Sequence, residues 1–135
     1  MGETEILADY IAKTRYEDLP PDVINHTKKS ISDTIACGLG GRKTLEGDIL
    51  ISIMKEMGGK PEATVIGDET RLSFMQAAQV NRVLTHVLDY DETYSRLGHM
   101  STVLVPVALA IGERINASGR DIINAIVLGY EVIIR

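Results

Sequence analysis

One cysteine, Cys37, serves the whole chain of 135 residues. An internal disulfide is therefore excluded, and so is a conventional protein-held iron–sulfur cluster, which takes several thiolates. Positive charge is also scarce, with 14 Lys and Arg against 19 Asp and Glu and a net charge of −5. No stretch gathers enough basic residues to follow a phosphate backbone, so a nucleic-acid partner is not expected. Long apolar runs are missing too: the longest, residues 102–112, is too short to span a bilayer. The start, Met1-Gly2-Glu3-Thr4-Glu5, is acidic where a secretory signal would be basic. The expectation is a cytoplasmic protein with no membrane partner. Internal repeats, low-complexity segments and linkers are likewise absent, and the length is ordinary for one domain with its own core.

What is present reads as helix. Ile6, Leu7, Tyr10 and Ile11 recur at helical spacing until Asp18-Leu19-Pro20-Pro21 interrupts them, predicting a first helix over residues 4–17. Pro21 suits the first turn of a second helix carrying Val23, Ile24, Ile31, Ile35 and Ala36. Gly38-Leu39-Gly40-Gly41 should end that helix in a turn. A third helix is predicted over 45–57, before Gly58-Gly59. Residues 63–67, Ala-Thr-Val-Ile-Gly, form the one piece that reads as extended, too short to anchor a sheet. Ser73-Phe74-Met75-Gln76 has the form of a capping box and opens a helix running toward Leu88; Ser118-Gly119-Arg120-Asp121 repeats that logic for the last helix. Between them, Gly98 and the polar residues before it mark a loop, and 101–116 reads as a helix with Pro106 in its first turns. The fold class is all-α, with residues 1–135 as one domain. The final helix is apolar on nearly every side, which requires burial on every side. The chain is therefore expected to belong to a larger helical domain or to pack against another copy.

The chemistry concentrates in residues 79–101, which hold two of the three histidines. His86, Asp89 and Thr93 are spaced to share one helix face. Asp89-Tyr90-Asp91-Glu92-Thr93 matches the Asp-x-Asp-x-Thr motif of aspartate-nucleophile phosphatases, but that motif follows a β-strand and here the preceding residues are helical. A calcium loop fails as well, because Tyr94 stands where glycine is required and Met100 where glutamate is. A metal site from His86, Asp89, Asp91 and His99 has suitable ligand types but no familiar zinc or iron spacing. There remains a metal-free acid/base site of Asp89, Thr93 and His99, in which a carboxylate orients an imidazole and tunes its basicity. Beside it stands a structural reading, in which Asp89 and Asp91 end a helix and His86 is a satisfied core histidine. His26 and Cys37 read as packing or surface residues.

The run from Ala77-Ala78-Gln79-Val80-Asn81 through His86-Val87-Leu88-Asp89-Tyr90-Asp91 to Gly98-His99 resembles the MmgE/PrpD family. Asp33-Thr34-Ile35-Ala36-Cys37-Gly38, Ala63-Thr64-Val65-Ile66-Gly67, the helix with Pro106 and Glu113, and Gly129-Tyr130-Glu131-Val132 with Arg135 extend the likeness over nearly the whole chain. The resemblance implies a large helical domain carrying a smaller α+β lid, assembled as a homodimer or larger homo-oligomer and working without metal or cofactor. It also implies a lyase or isomerase that removes a proton next to a carboxylate of a di- or tricarboxylic acid. The first expectation is a 2-methylcitrate dehydratase-like activity, with cis-aconitate decarboxylation and iminodisuccinate epimerisation as the group's other reactions. Asp89, Thr93 and His99 fall on the family's catalytic Asp, Thr and His; Asn81, His86 and Asp91 match positions that shape the substrate pocket. The chain departs from the pattern at Met100, where proline is common, and at Glu92, often aspartate. It corresponds to the opening part of the helical domain, with the family's other catalytic groups beyond Arg135. The reading from a different class is a non-catalytic helical module that binds a carboxylate or another subunit.

Overall fold

The computed structural model describes residues 2–94 and 98–135. The part of the expected loop at 95–97 lies outside the described residues. Six helices account for most of the rest: α1 (Glu3–Lys13), α2 (Pro21–Gly41), α3 (Leu45–Met57), α4 (Phe74–His86), α5 (Ser101–Ile115) and α6 (Gly119–Ile134). The chain is all-α apart from one small hairpin. The first helix ends at Lys13, four residues earlier than its apolar spacing predicts, and a 3-10 turn over Tyr16–Asp18 follows. Both capping boxes form: Ser73 and Gln76 close the start of α4, and Ser118 and Asp121 that of α6. Each satisfies backbone N–H groups that the first turn of a helix leaves unpaired.

Helix α4 is the centre, packed against both α2 and α5. Val80, Leu84 and Ala77 on α4 meet Ile51 and Met54 of α3, Val65 and Leu72 of the hairpin and Ala110 of α5, all nearly or wholly buried. A second cluster joins Leu19, Ile123 and Val127 under the start of α2. The glycine-rich end of α2 departs from the sequence reading. The helix runs on through Gly38 and Gly40 to Gly41, because here glycine serves contact, not turning. A Cβ on Gly41 would lie 2.0 Å from the Leu84 carbonyl oxygen, and one on Gly38 3.0 Å from Ile66 Cγ2. Bare backbone lets α2 and α4 approach this closely.

The extended piece is shorter than expected, yet it has a partner that the sequence did not announce. Strand β1 (Ala63–Thr64) pairs antiparallel with β2 (Arg71–Leu72). Asn81 on α4 fastens this hairpin with both ends of its amide, accepting from the Ile66 N–H at 2.8 Å and donating to the Thr64 carbonyl at 2.9 Å. Glu113 on α5 accepts from the Thr64 backbone N–H and, at 2.8 Å, from its hydroxyl.

The turn of the hairpin is held by Asp68, which accepts from Thr70 Oγ1 at 2.5 Å and Thr70 N–H at 2.9 Å, and pairs with Arg42 at 2.6 Å. The Thr70 hydroxyl foremost, opposed by burial and helped by the Thr70 amide and the Arg42 guanidinium, lowers the Asp68 carboxyl from 3.8 to about 2. A carboxyl whose folded value is depressed stabilises the fold fully above its unfolded value, and that stability is lost as pH falls through the folded one. Asp68→Ala is expected to cost about 2 kcal/mol at neutral pH. In urea titrations the gap between variant and wild type should shrink as pH falls from about 4 toward 2. A gap that does not change with pH would show that the carboxylate charge is not its source. Among the described residues, no helix is long and apolar enough to cross a membrane.

Candidate functional site

The site forms where α4 gives way to the loop that leads into α5. Helix α4 stops at His86, so the expected helical face of His86, Asp89 and Thr93 does not exist. The reason is local. Asp89 adopts φ of +55°, the left-handed region, and its N–H closes a tight turn on the His86 carbonyl at 2.8 Å. Aspartate tolerates that conformation better than most residues. Further on, Tyr94 and Gly98 exchange backbone hydrogen bonds of 3.0 and 3.1 Å, with Gly98 at φ of +88°. This pinch returns the chain, so that His99 arrives opposite His86. The buried Thr102 then donates to the His99 carbonyl at 2.8 Å and ties it to the first turn of α5.

Asp91 is the hub. Its side chain is 0 % exposed, and its two oxygens are both used: Oδ1 meets His86 Nδ1 at 3.0 Å and Oδ2 meets His99 Nδ1 at 2.6 Å. The two rings lie 4.6 Å apart between centroids, tilted by 53°. An ionised carboxylate only accepts hydrogen bonds, so each Nδ1 must carry a proton. The remaining ring nitrogen, Nε2, is then an acceptor in the neutral form of each histidine. Asp89 stands at the rim, 77 % exposed, with Oδ1 3.5 Å from His99 Nε2. The sequence reading assigned Asp89 as the imidazole's partner; in the structure Asp91 makes the short contacts.

His86 and His99 line a cavity of about 330 Å³ together with Arg82, Thr102, Val103 and Ile133. Thr93 lies on another side of the loop, in a hollow of about 340 Å³ shared with His26, Tyr94 and Tyr130. Asn81 stands apart from both cavities, its amide spent on the hairpin. The structure thus brings together His86, Asp89, Asp91 and His99, and places Thr93 and Asn81 elsewhere. Donor atoms of the four clustered residues lie within 4.8 Å of one another. They could hold a divalent ion, but their hydrogen bonds already satisfy both Asp91 oxygens and both Nδ1 atoms.

Two features escaped the sequence reading. Glu92 hydrogen-bonds the Tyr130 hydroxyl, which also meets Ser30 Oγ at 3.2 Å. The loop is thereby strapped to α6 and α2 just beside Asp91. Burial first, and the Glu92 hydrogen bond second, push the Tyr130 phenol up to about 12. The second is Arg82, one turn before His86 on the same face of α4, a spacing visible in the sequence. Burial first, then the charges of Asp33 and Asp91, push the Cys37 thiol up, which disfavours the thiolate a nucleophile needs.

Comparison with known proteins adds an independent line. Residues 5–135 match the family described as the MmgE/PrpD N-terminal domain. The chain is 32% identical over 134 residues to a cis-aconitate decarboxylase of Homo sapiens, covering 96% of this chain and 28% of that protein. It is 30% identical to the Mus musculus cis-aconitate decarboxylase, with the same coverage. With the cis-aconitate decarboxylase of Aspergillus terreus it shares 24% over 136 residues, again 96% of this chain and 28% of the relative. The chain therefore spans about 28% of the length of these curated relatives.

Proposed function

The chain belongs to the MmgE/PrpD family, and on that footing we propose that it supplies one wall of the active site of a lyase or isomerase acting on di- or tricarboxylic acids. The observation that carries this reading is the fully buried Asp91 carboxylate bonded to the Nδ1 atoms of both His86 and His99. One shared carboxylate fixes two imidazoles in the same tautomer and leaves their Nε2 atoms free for proton transfer. The names of the relatives favour cis-aconitate decarboxylation over the 2-methylcitrate dehydration expected from the sequence.

In this reading His99 Nε2 exchanges a proton with the carbon next to a substrate carboxylate. In a decarboxylation, the electron pair of the breaking carbon–carboxylate bond stays in the carbon skeleton, carbon dioxide leaves, and the skeleton takes up a proton in its place. Asp89, at 3.5 Å from the same nitrogen, stabilises the imidazolium that forms whenever His99 holds that proton. Thr93, given a substrate-binding role on the sequence, faces the other hollow and takes no part in these steps. No metal or other cofactor enters these steps. A homodimer belongs to the same proposal, supported by the apolar side chains that α6 leaves exposed at Val132, Ile133 and Ile134.

The test uses the protein as made in its native cells, supplied with cis-aconitate and, separately, 2-methylcitrate, and followed by proton NMR. The expected result is loss of cis-aconitate with release of carbon dioxide. Asp89→Asn and His99→Ala should each lower kcat by on the order of 10²-fold or more while circular dichroism is unchanged. Normal rates in either variant would remove that residue from the chemistry, and a wild-type protein inert toward both acids would overturn the reading.

A further inference from the structure

We infer that Arg82 is a carboxylate-binding residue of this site, seated on the cavity wall to hold an acid group of the substrate while His99 works on the adjacent carbon. The inference rests on the lyase reading above, and its starting point is charge. A di- or tricarboxylate entering this cavity meets Asp91, buried behind the two rings, and Asp89 at the rim, 3.5 Å from His99. Like charges at such short range cost several kcal/mol in a partly desolvated site unless a cation offsets them. The histidines cannot fill that role throughout, because a group acting as a base must spend part of the cycle neutral.

Arg82 is the permanent cation among the residues that line this cavity. It precedes His86 by one helical turn, so the two side chains leave α4 on the same face. It is also uncommitted. Among the described residues, Arg42, Arg71, Arg114, Arg120 and Arg135 each pair with a carboxylate, and Arg15 donates to the Ala12 carbonyl. The Arg82 guanidinium has neither an ion pair nor a hydrogen bond among those residues; its backbone carbonyl accepts from the Thr85 hydroxyl at 3.0 Å. A guanidinium offers a planar fork of donors that matches a carboxylate in two parallel hydrogen bonds, a geometry lysine cannot reproduce. Thr102 lines the same cavity, but its hydroxyl is already given to the His99 carbonyl, which leaves Arg82 as the anchoring donor.

The experiment compares wild type, Arg82→Gln, Arg82→Lys and, as a control, Arg120→Gln on the remote end of α6, all in the protein as made in its native cells. Two readouts are taken: kcat and KM for cis-aconitate, and the Kd of propane-1,2,3-tricarboxylate, an inert tricarboxylate, by calorimetry. Arg82→Gln should raise both KM and Kd about tenfold or more while kcat changes much less, since a uniform binding contact is lost. Arg82→Lys should fall between the two, and Arg120→Gln should match wild type. The Kd should also rise with salt in wild type and do so less steeply in Arg82→Gln. A Kd in Arg82→Gln within twofold of wild type, or a wild type that fails to bind the tricarboxylate at millimolar concentration, overturns the inference. Arg82-dependent binding without turnover of either acid would instead overturn the lyase reading and leave this one standing.

Discussion

Asp91→Ala is expected to lower turnover by on the order of 10³-fold, because one substitution misorients two imidazoles at once. The side chain removed is 0 % exposed and is the Nδ1 partner of both His86 and His99. The rings themselves are 43 % and 26 % exposed, so the freed N–H groups can turn to water and the fold should lose only about 1–3 kcal/mol. Asp91→Asn separates orientation from charge. An amide presents one acceptor and one donor edge, so one ring can keep its proton on Nδ1 while the other must move its proton to Nε2 to accept from the amide N–H. Long-range nitrogen–proton NMR reads the tautomer of each histidine directly. Wild type should show both rings protonated on Nδ1, Asp91→Asn one of each kind, and Asp91→Ala neither ring held in one form. Two rings with Nε2–H tautomers in the wild type would contradict the shared-carboxylate arrangement.

The second large effect lies in the packing. Gly41→Ala is expected to cost about 3 kcal/mol or more, at the upper end of what overpacking usually costs. The added Cβ would fall 2.0 Å from the Leu84 carbonyl oxygen and 2.8 Å from its carbon, and backbone cannot swing aside as a side chain can. Helices α2 and α4 would have to part, shifting His86 two residues beyond Leu84. Gly38→Ala is the control, since its new Cβ would meet only side-chain methyls, Ile66 Cγ2 at 3.0 Å and Thr85 Cγ2 at 3.2 Å. Relief of glycine's poor helix propensity, about 1 kcal/mol, should offset that crowding and leave Gly38→Ala near neutral. Thermal denaturation of the two variants decides the matter. Equal losses in both would mean that the close helix approach at Gly41 is not what limits packing.

What could be seen in the sequence was what local chemistry settles. The capping boxes at Ser73 and Ser118 lie where Ser-x-x-Gln and Ser-x-x-Asp put them, and α3 occupies 45–57 as its apolar spacing predicts. Gly38-Leu39-Gly40-Gly41 was misleading because glycine carries two meanings, a turn or a close contact, and only the position of Leu84 in space chooses between them. His86, Asp89 and Thr93 looked coplanar on a helix that ends at the first of them; a left-handed aspartate leaves no periodic trace. The clustering of His86, Asp89, Asp91 and His99 was legible from their nearness in the chain. That Asp91 and not Asp89 bridges the rings depends on the Tyr94–Gly98 pinch and the Glu92–Tyr130 strap, both tertiary. The strap joins residues 38 apart in sequence.

The hairpin shows how cooperativity can be borrowed. Two rungs of ladder, Ala63 with Leu72 and Thr64 with Arg71, are far below what holds a hairpin together in water. Yet its first strand is grasped by Asn81 from α4 and by Glu113 from α5, two helices that also carry or border the histidine pair. The hairpin is therefore expected to have no opening transition of its own. Its amides should exchange with solvent at the rate set by the α4–α5 pairing, which would place this peripheral strand pair in the same unfolding unit as the helix that presents His86.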